Sequence, residues 1–231
     1  MTAKKTESKD VMSIQEQLKK DLATLKDRVE PPSGFTISTK GKTFTLPDGT
    51  SDPGPMNCII LDWCTANIYF EGIYNPKDVK PPVCWALSKE VEGMKPSKDA
   101  PKRQHDNCKK CPQNEWASDP QGGRGKACKN TRRLVIARPD ADETTQPWII
   151  SVSPTGLKHF DKYVNTLADL ETHPIELITE ISFESAEAFP TLRFKSVKKH
   201  DNVELMWSLK ERAQEILFME PKIDEETGKA A

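Results

Sequence analysis

Four of the six cysteines lie in the central part of the chain, at positions 84, 108, 111 and 128. The CxxC spacing of Cys108 and Cys111 lets two thiolates from one tight turn bind the same metal ion. Cys84 and Cys128 would complete the tetrahedral set that is usual for structural zinc. His105 lies three residues before Cys108 and is a reserve ligand that could replace one cysteine. The pattern predicts a zinc centre, with zinc as the cofactor.

Two other interpretations of these cysteines stay open. They could be buried or free thiols, or the CxxC pair could be redox-active. A redox pair normally opens a helix after a strand, whereas Pro112 and a polar, Gly-rich loop follow Cys111. The segment between the outer cysteines has few apolar side chains to bury. We therefore expect a metal to supply most of its folding energy.

The same segment concentrates positive charge. From Lys95 to Arg133 there are eleven Lys and Arg against four Asp and Glu, a net charge of +7, whereas the whole chain carries −1. Such a concentration suits a polyanion such as a nucleic-acid backbone, although a solvated charged loop is the plainer alternative. The candidate phosphate contacts are Lys109, Lys110, Arg124, Lys126, Lys129, Arg132 and Arg133.

Aromatic residues accompany the basic segment. Trp85 and Trp116 lie in or beside it, and Trp63 and Tyr69 belong to the aromatic run that precedes it. Aromatic rings beside cations are used by proteins to stack on unpaired bases. These four residues are the candidate stacking platforms, with packing in the core or on the metal site as the alternative.

The composition bounds the class of protein. The chain has 231 residues, 35% of them hydrophobic and 30% charged. No apolar run approaches the length of a membrane span, and the N-terminus has no apolar signal-peptide core. We therefore expect an intracellular protein with no membrane partner, in which cysteines are metal ligands or buried thiols before they are disulfides. Cys58 and Cys64 are expected to be small buried hydrophobes.

Hydrophobic periodicity predicts an α+β protein that is mainly β. Residues 1–32 carry apolar side chains at helical spacing and predict an N-terminal amphipathic helix or arm. Residues 33–200 predict a β domain that contains the zinc insertion at about 84–128. Residues 201–231 predict a C-terminal helix and an acidic tail, with eight acids against four bases from Asp201 onward.

The β domain is expected to be assembled from short strands and one helix. Patterns and turn residues predict a hairpin around Lys40-Gly41. They also predict one long bent strand, or two strands, over 57–71 with a break near 64–67, and further strands over 134–137, 148–152, 175–183 and 191–197. Ser153-Pro154 predicts a helix start, with Ser153 as the N-cap. Residues 206–219 predict a further helix.

No catalytic motif stands out. The sequence lacks a GxxxxGKS/T phosphate loop, a GxGxxG turn, HExxH and GxSxG. The four histidines are scattered and have no obvious nucleophile as a partner. The sequence thus predicts a protein that is not an enzyme.

Three elements of the sequence, PPVCWA, CKKCPQNEWAS and GGRGKACKNTRRLVIA, resemble a widespread group of tailed-phage proteins in which similar cysteine elements recur. The resemblance extends through SPTGLKHFDKYVNTLA and covers roughly residues 35 to 218. It implies an OB-type barrel with a zinc-bearing insertion, single-stranded DNA as the ligand, and Cys84, Cys108, Cys111 and Cys128 as the matching cysteines. Cys58 and Cys64 lie outside the pattern.

The predicted function is therefore to coat single-stranded DNA during phage replication or recombination, in the cytoplasm of the host cell. The acidic C-terminal end could dock replication or recombination proteins, or compete with nucleic acid for the basic groove. Two rival hypotheses are a nuclease or recombination enzyme subunit and a zinc-containing adaptor of transcription or virion assembly.

Overall fold

The structure is a computed structural model that describes residues 14, 34–73 and 80–221. The chain divides into two compact units, Met1–Gly34 and Phe35–Ala231. Apart from Ile14, which is helical and exposed, the predicted N-terminal helix lies outside the described residues. The following description concerns the second unit.

Strands dominate the described part of this unit, with helices at its periphery. The helices are α1 (Leu157–Asp169), α2 (Val203–Arg212) and the short α3 (Gln214–Leu217). The strands are β1 (Thr36–Ile37), β2 (Phe44–Thr45), β3 (Ser51–Asp52), β4 (Met56–Tyr69), β5 (Cys84–Ser88), β6 (Cys128–Ala137), β7 (Trp148–Val152), β8 (Leu177–Phe183) and β9 (Leu192–Lys199). The expectation of a mixed α+β fold, mainly of strands, is confirmed.

The 14-residue strand β4 organises the sheet. Its first three residues pair with β8, and the rest of the strand pairs with β6 and, near its end, with β5. The full order is β1-β7-β6-β4-β8-β9, with β5 also on β4. The pairing register shifts between Ile60 and Asp62, and such a bulge bends a strand and increases its twist. The sequence predicted one long bent strand or two strands, with a break near 64–67. The structure has one strand, and its irregularity lies before that position.

The sheet curls into a half-barrel. Strands β1 and β9 end the pairing order, and no pairing between them closes the sheet within residues 34–73 and 80–221. β2 and β3 form a separate two-stranded sheet. The predicted hairpin around Lys40-Gly41 is reduced to one bridge between Ser38 and Thr45, because β1 pairs in parallel with β7 instead.

Both faces of the half-barrel are covered, which explains why β4 buries nearly every residue from Cys58 to Asn67. One face, called here the α1 face, packs Ile60, Leu134 and Ile150 against Phe160 of α1 and against β8 and β9. The opposite face packs residues such as Ile59 and Val135 against α2 and α3. The rigid sheet therefore fixes the strand ends that lead into the cysteine segment.

The helices differ in detail from their predicted forms. Pro154 begins a single 3-10 turn rather than the α-helix, and the side chain of Ser153 makes no capping hydrogen bond. Asn202 caps α2 by accepting a hydrogen bond from the Leu205 amide at 3.1 Å, so the C-terminal helix begins earlier than predicted. No helix in the described ranges is long and apolar enough to cross a bilayer.

Candidate metal centre and nucleic-acid interface

The strand register brings the two outer cysteines to one end of the sheet. Cys84 begins β5 and Cys128 begins β6, and both residues pair with Tyr69 of β4. Residues directly opposite each other in an antiparallel sheet point to the same face. Their Cα atoms are separated by two strand spacings, about 10 Å. A shared ligand must therefore be reached with the help of groups outside the sheet.

Residues 89–127, called here the knuckle, supply those groups through the CxxC turn. Asn107 accepts hydrogen bonds from the amides of Lys109 and Lys110, which closes the turn after Cys108. The amide of Cys108 donates to the Met94 carbonyl at 2.9 Å. Asn114 donates from its side chain to the Cys108 carbonyl at 2.7 Å. Local hydrogen bonds thus hold the CxxC turn in one conformation.

All four predicted cysteines line one small cavity of about 20 Å³. His105, the reserve ligand, also lines it, and its Nδ1 accepts a hydrogen bond from the Asn107 amide at 2.9 Å. No group of three or more His, Cys, Asp and Glu side chains in the described ranges is arranged to hold a metal ion. The donor set and its convergence nevertheless suit zinc, which takes four thiolates at about 2.3 Å.

The surroundings of the cavity favour the neutral thiol form of three of its cysteines, Cys84, Cys108 and Cys128. Burial raises the pKa of Cys128 to about 12 and that of Cys108 to about 11, and it also raises the pKa of Cys84. In each case the negative charge of at least one neighbouring cysteine raises the pKa further. Without a cation these groups remain neutral thiols near pH 7, whereas a bound metal deprotonates a coordinating thiol.

A chain of asparagines links the knuckle to the sheet, and sequence reasoning missed it. Asn130 of β6 donates to Asn67 of β4 at 2.8 Å. Lys126 donates to Asn130 at 3.1 Å and to Asn114 at 3.2 Å. In the sequence, Asn114 follows Cys111 by three residues and Asn130 follows Cys128 by two residues. These spacings could have indicated that the two asparagines support the cysteine turn. The result is a knuckle whose base is fixed to the α1 face.

Trp116 lies on the outside of the knuckle and is 76% exposed. The Lys126 ammonium is 5.1 Å from the centre of its indole ring, within the range of a cation–π interaction. Because Lys126 is also bonded to two asparagines, it positions the ring while leaving most of its surface accessible. Trp116 is thus the predicted aromatic residue that best retains a stacking surface.

Some of the predicted phosphate-contacting side chains form ion pairs within the protein, and others do not. Lys109 pairs with Glu92 at 2.9 Å, Lys129 pairs with Asp119, and Arg132 lies 3.8 Å from Asp161. Lys110 and Arg124 are exposed and make no ion pair with any described residue. Both partners of the Lys109–Glu92 pair are exposed. Exposed pairs contribute little to stability, so a phosphate could replace Glu92 at small cost.

Two predicted nucleic-acid contacts have structural positions instead. Trp85 is 3% exposed and therefore presents no face to a base. Arg133 points to the opposite side of the sheet from Arg132, because side chains alternate along β6. Its guanidinium donates to the carbonyls of Leu217 at 3.1 Å and Met219 at 2.5 Å. Arg133 thus donates hydrogen bonds to carbonyls at the end of α3. It would not contact a DNA strand that lies on the α1 face.

Replacing Arg133 with Leu should lower the free energy of unfolding by about 1–3 kcal/mol, because two carbonyls at the end of α3 lose a charged donor. Urea denaturation followed by circular dichroism measures this change. Arg132→Leu is the matched control and should change stability by less than about 1 kcal/mol, since Arg132 has only a long ion pair with a half-exposed acid. Equal effects of the two substitutions would contradict the structural role of Arg133.

The remaining candidates lie on the α1 face. Tyr69 is half-buried and lines the cysteine cavity. Trp63 is partly buried, and its ring makes an edge contact with Phe160 of α1 at 5.5 Å between centroids. Trp63 and Arg132 line the same surface groove, described below. The two core cysteines behave as predicted, since Cys58 and Cys64 are each 1% exposed.

Comparison with known proteins adds no relative. The chain matches no family model, no curated protein and no solved structure. The site geometry therefore carries the functional argument.

Proposed function

We propose that this protein binds single-stranded DNA, with the strand lying across the knuckle and the adjoining α1 face. The observation that carries the proposal is the exposed ring of Trp116, which is fixed beside Lys126 on a rigid base. Lys110 and Arg124 provide free positive charge on the same knuckle. A stacking ring beside cations suits unpaired bases with little sequence preference, whereas a duplex keeps its bases stacked inside.

We further propose that the four-cysteine centre holds one zinc ion through Cys84, Cys108, Cys111 and Cys128. The zinc ion would supply folding energy and no chemistry of its own. The convergence of all four thiols on one cavity supports this assignment. Sulfurs in tetrahedral ZnS₄ lie about 3.8 Å apart, as follows from the zinc–sulfur bond length.

The biological setting follows from the sequence resemblance and is proposed with it. A curled half-barrel is compatible with an OB-type barrel, a fold that often binds oligonucleotides. We assign the protein to strand coating in phage replication or recombination within the host cytoplasm, acting stoichiometrically and not as an enzyme. The acidic C-terminal end is proposed to contact protein partners.

A fluorescence titration tests the proposal directly, because the chain contains five tryptophans. Oligo-dT should quench the fluorescence strongly and a duplex of equal length weakly. The logarithm of the affinity should fall with the logarithm of salt concentration at about −0.7 per phosphate neutralised. Equal response to duplex, or no response to oligo-dT, would refute strand coating. Cleavage of labelled DNA with Mg²⁺ or Mn²⁺ would instead favour the enzyme hypothesis.

A further inference from the structure

A groove of about 340 Å³ opens on the α1 face between the sheet and helix α1. Arg132 on its wall lies four residues after Cys128 along β6, and Thr65 lies four residues before Tyr69 along β4. At about 3.3 Å per strand residue, the groove begins roughly 13 Å from the cysteine centre. A single DNA strand that extends from the knuckle along the α1 face would pass over this groove.

The walls of the groove combine apolar surface with polar and charged groups. Trp63, Val91, Phe160 and Val164 supply the apolar surface. A volume of this size lies at the lower end of the range for ligand sites. The groove is therefore suited to a single base and too small for a stacked run of bases.

Five of the nine residues that line the groove are polar or charged: Thr65, Lys89, Arg132, Asp161 and Asn165. Thr65 is only 6% exposed and lines the groove. Arg132 lies 3.8 Å from Asp161, so its remaining donors are not satisfied by that contact. Lys89 also lines the groove, but Asp62 on the sheet binds its ammonium at 2.6 Å. A donor and an acceptor, Arg132 and Asp161, thus lie side by side at the wall.

We propose that this groove binds one unstacked base of the bound strand and that it selects guanine. The inference rests on the proposed single-stranded DNA binding and adds a base preference to it. The Asp161 carboxylate would accept hydrogen bonds from the adjacent N1–H and N2–H of guanine. Arg132 would donate to O6, the next atom along the same edge, and Trp63 would contact the ring.

The chemistry of base edges excludes the other three bases from the same arrangement. Guanine alone presents two neighbouring donors followed by an acceptor on its Watson–Crick edge. Adenine and cytosine place a ring nitrogen acceptor beside their amino group, which would face the negative carboxylate. Thymine presents one donor between two carbonyl oxygens. A matched bidentate contact is worth about 1–3 kcal/mol of discrimination between bases.

The test is a set of short oligo-dT strands in which the central nucleotide is dT, dG, dA or dC. We expect the full-length protein to bind the dG strand at least about fivefold more tightly than the other three, given that discrimination. Asp161→Asn should remove this preference, so that the variant binds all four strands with equal affinity. Asp169→Asn on the same helix is the matched control, because Asp169 is exposed and does not line the groove.

The outcomes separate this inference from the function on which it rests. Equal affinity for all four strands would overturn the guanine site while strand coating stands. A dG preference that survives Asp161→Asn would overturn the assignment of the groove. If no strand binds at all, both proposals fail. Thermal denaturation of each variant, expected to match the wild type because Asp161 is half-exposed, shows that the comparison concerns folded protein.

Discussion

Replacing Cys108 with Ser should release the zinc ion that we propose for the four-cysteine centre and should unfold the knuckle. The reason is the small apolar content of this segment, which in the structure has short 3-10 turns as its only helical elements. Its buried side chains are few and mostly small: Met94, Pro96, Ala100, Cys111 and Ala127. They cannot by themselves offset the conformational entropy that is lost when 39 residues become ordered. Structural zinc supplies about 10–16 kcal/mol in small zinc-binding peptides.

Metal analysis and limited proteolysis measure the two parts of this prediction. The wild type should contain one zinc ion per chain and resist cleavage within residues 89–127. Cys108→Ser and Cys111→Ser should each lose metal and become sensitive there, and a strong chelator should have the same effect on the wild type. Cleavage is expected to stay within the knuckle, because the two cores of the sheet lie outside it.

Cys64→Ser is the control for this experiment. Cys64 is buried on the opposite face, where its Sγ lies 3.8 Å from the Leu217 carbonyl, and a serine hydroxyl can donate to the same oxygen. This variant should retain its zinc and its resistant knuckle. Two results together would refute the zinc proposal. The wild-type protein would contain no metal, and Cys108→Ser would change neither its proteolysis nor its melting temperature. The strand-binding proposal could still be tested separately.

The positions of several strands could be predicted from the sequence, because hydrophobic alternation is a property of the local sequence. The run at 57–71 and the short runs at 134–137 and 148–152 appear as β4, β6 and β7. The polar start of β6 was not predicted, since Lys129 and Arg132 do not look like strand residues on their own. They form a strand because β4 and β7 lie on both sides of them.

Pairing partners, in contrast, depend on contacts far apart in the chain. The residues after Phe35 suggested a hairpin by spacing alone, yet Ile37 pairs with Ile150 of β7. The same limit applies to the site. The cysteine pattern predicted which residues would converge, and they line one cavity. The opposite directions of Arg132 and Arg133 depend on the register of β6, which no single-residue property reveals.

Replacing Trp116 with Ala should weaken the binding of oligo-dT by about fivefold to a hundredfold, which corresponds to about 1–3 kcal/mol for one lost base stack. The stability of the protein should hardly change, because the ring is largely exposed and its contact with Lys126 is a surface cation–π interaction. Trp116→Phe should keep most of the affinity, since a smaller ring can still stack.

The matched control is Trp207→Ala on α2, because that ring is 50% exposed and lies beside Lys210 at 4.6 Å, in a similar cation–π contact. This variant should bind oligo-dT like the wild type, since α2 covers the face opposite to the knuckle.

Lys110→Ala and Arg124→Ala should act differently from the loss of the ring. Each should reduce the slope of affinity against salt by about 0.7, whereas Trp116→Ala should lower the affinity at every salt concentration with the slope unchanged. Stacking releases no counterion, so this separation distinguishes a base platform from a phosphate contact. A reduced slope in Trp116→Ala would mean that the ring acts only by positioning Lys126, and equal losses in Trp116→Ala and Trp207→Ala would remove the knuckle from the binding surface.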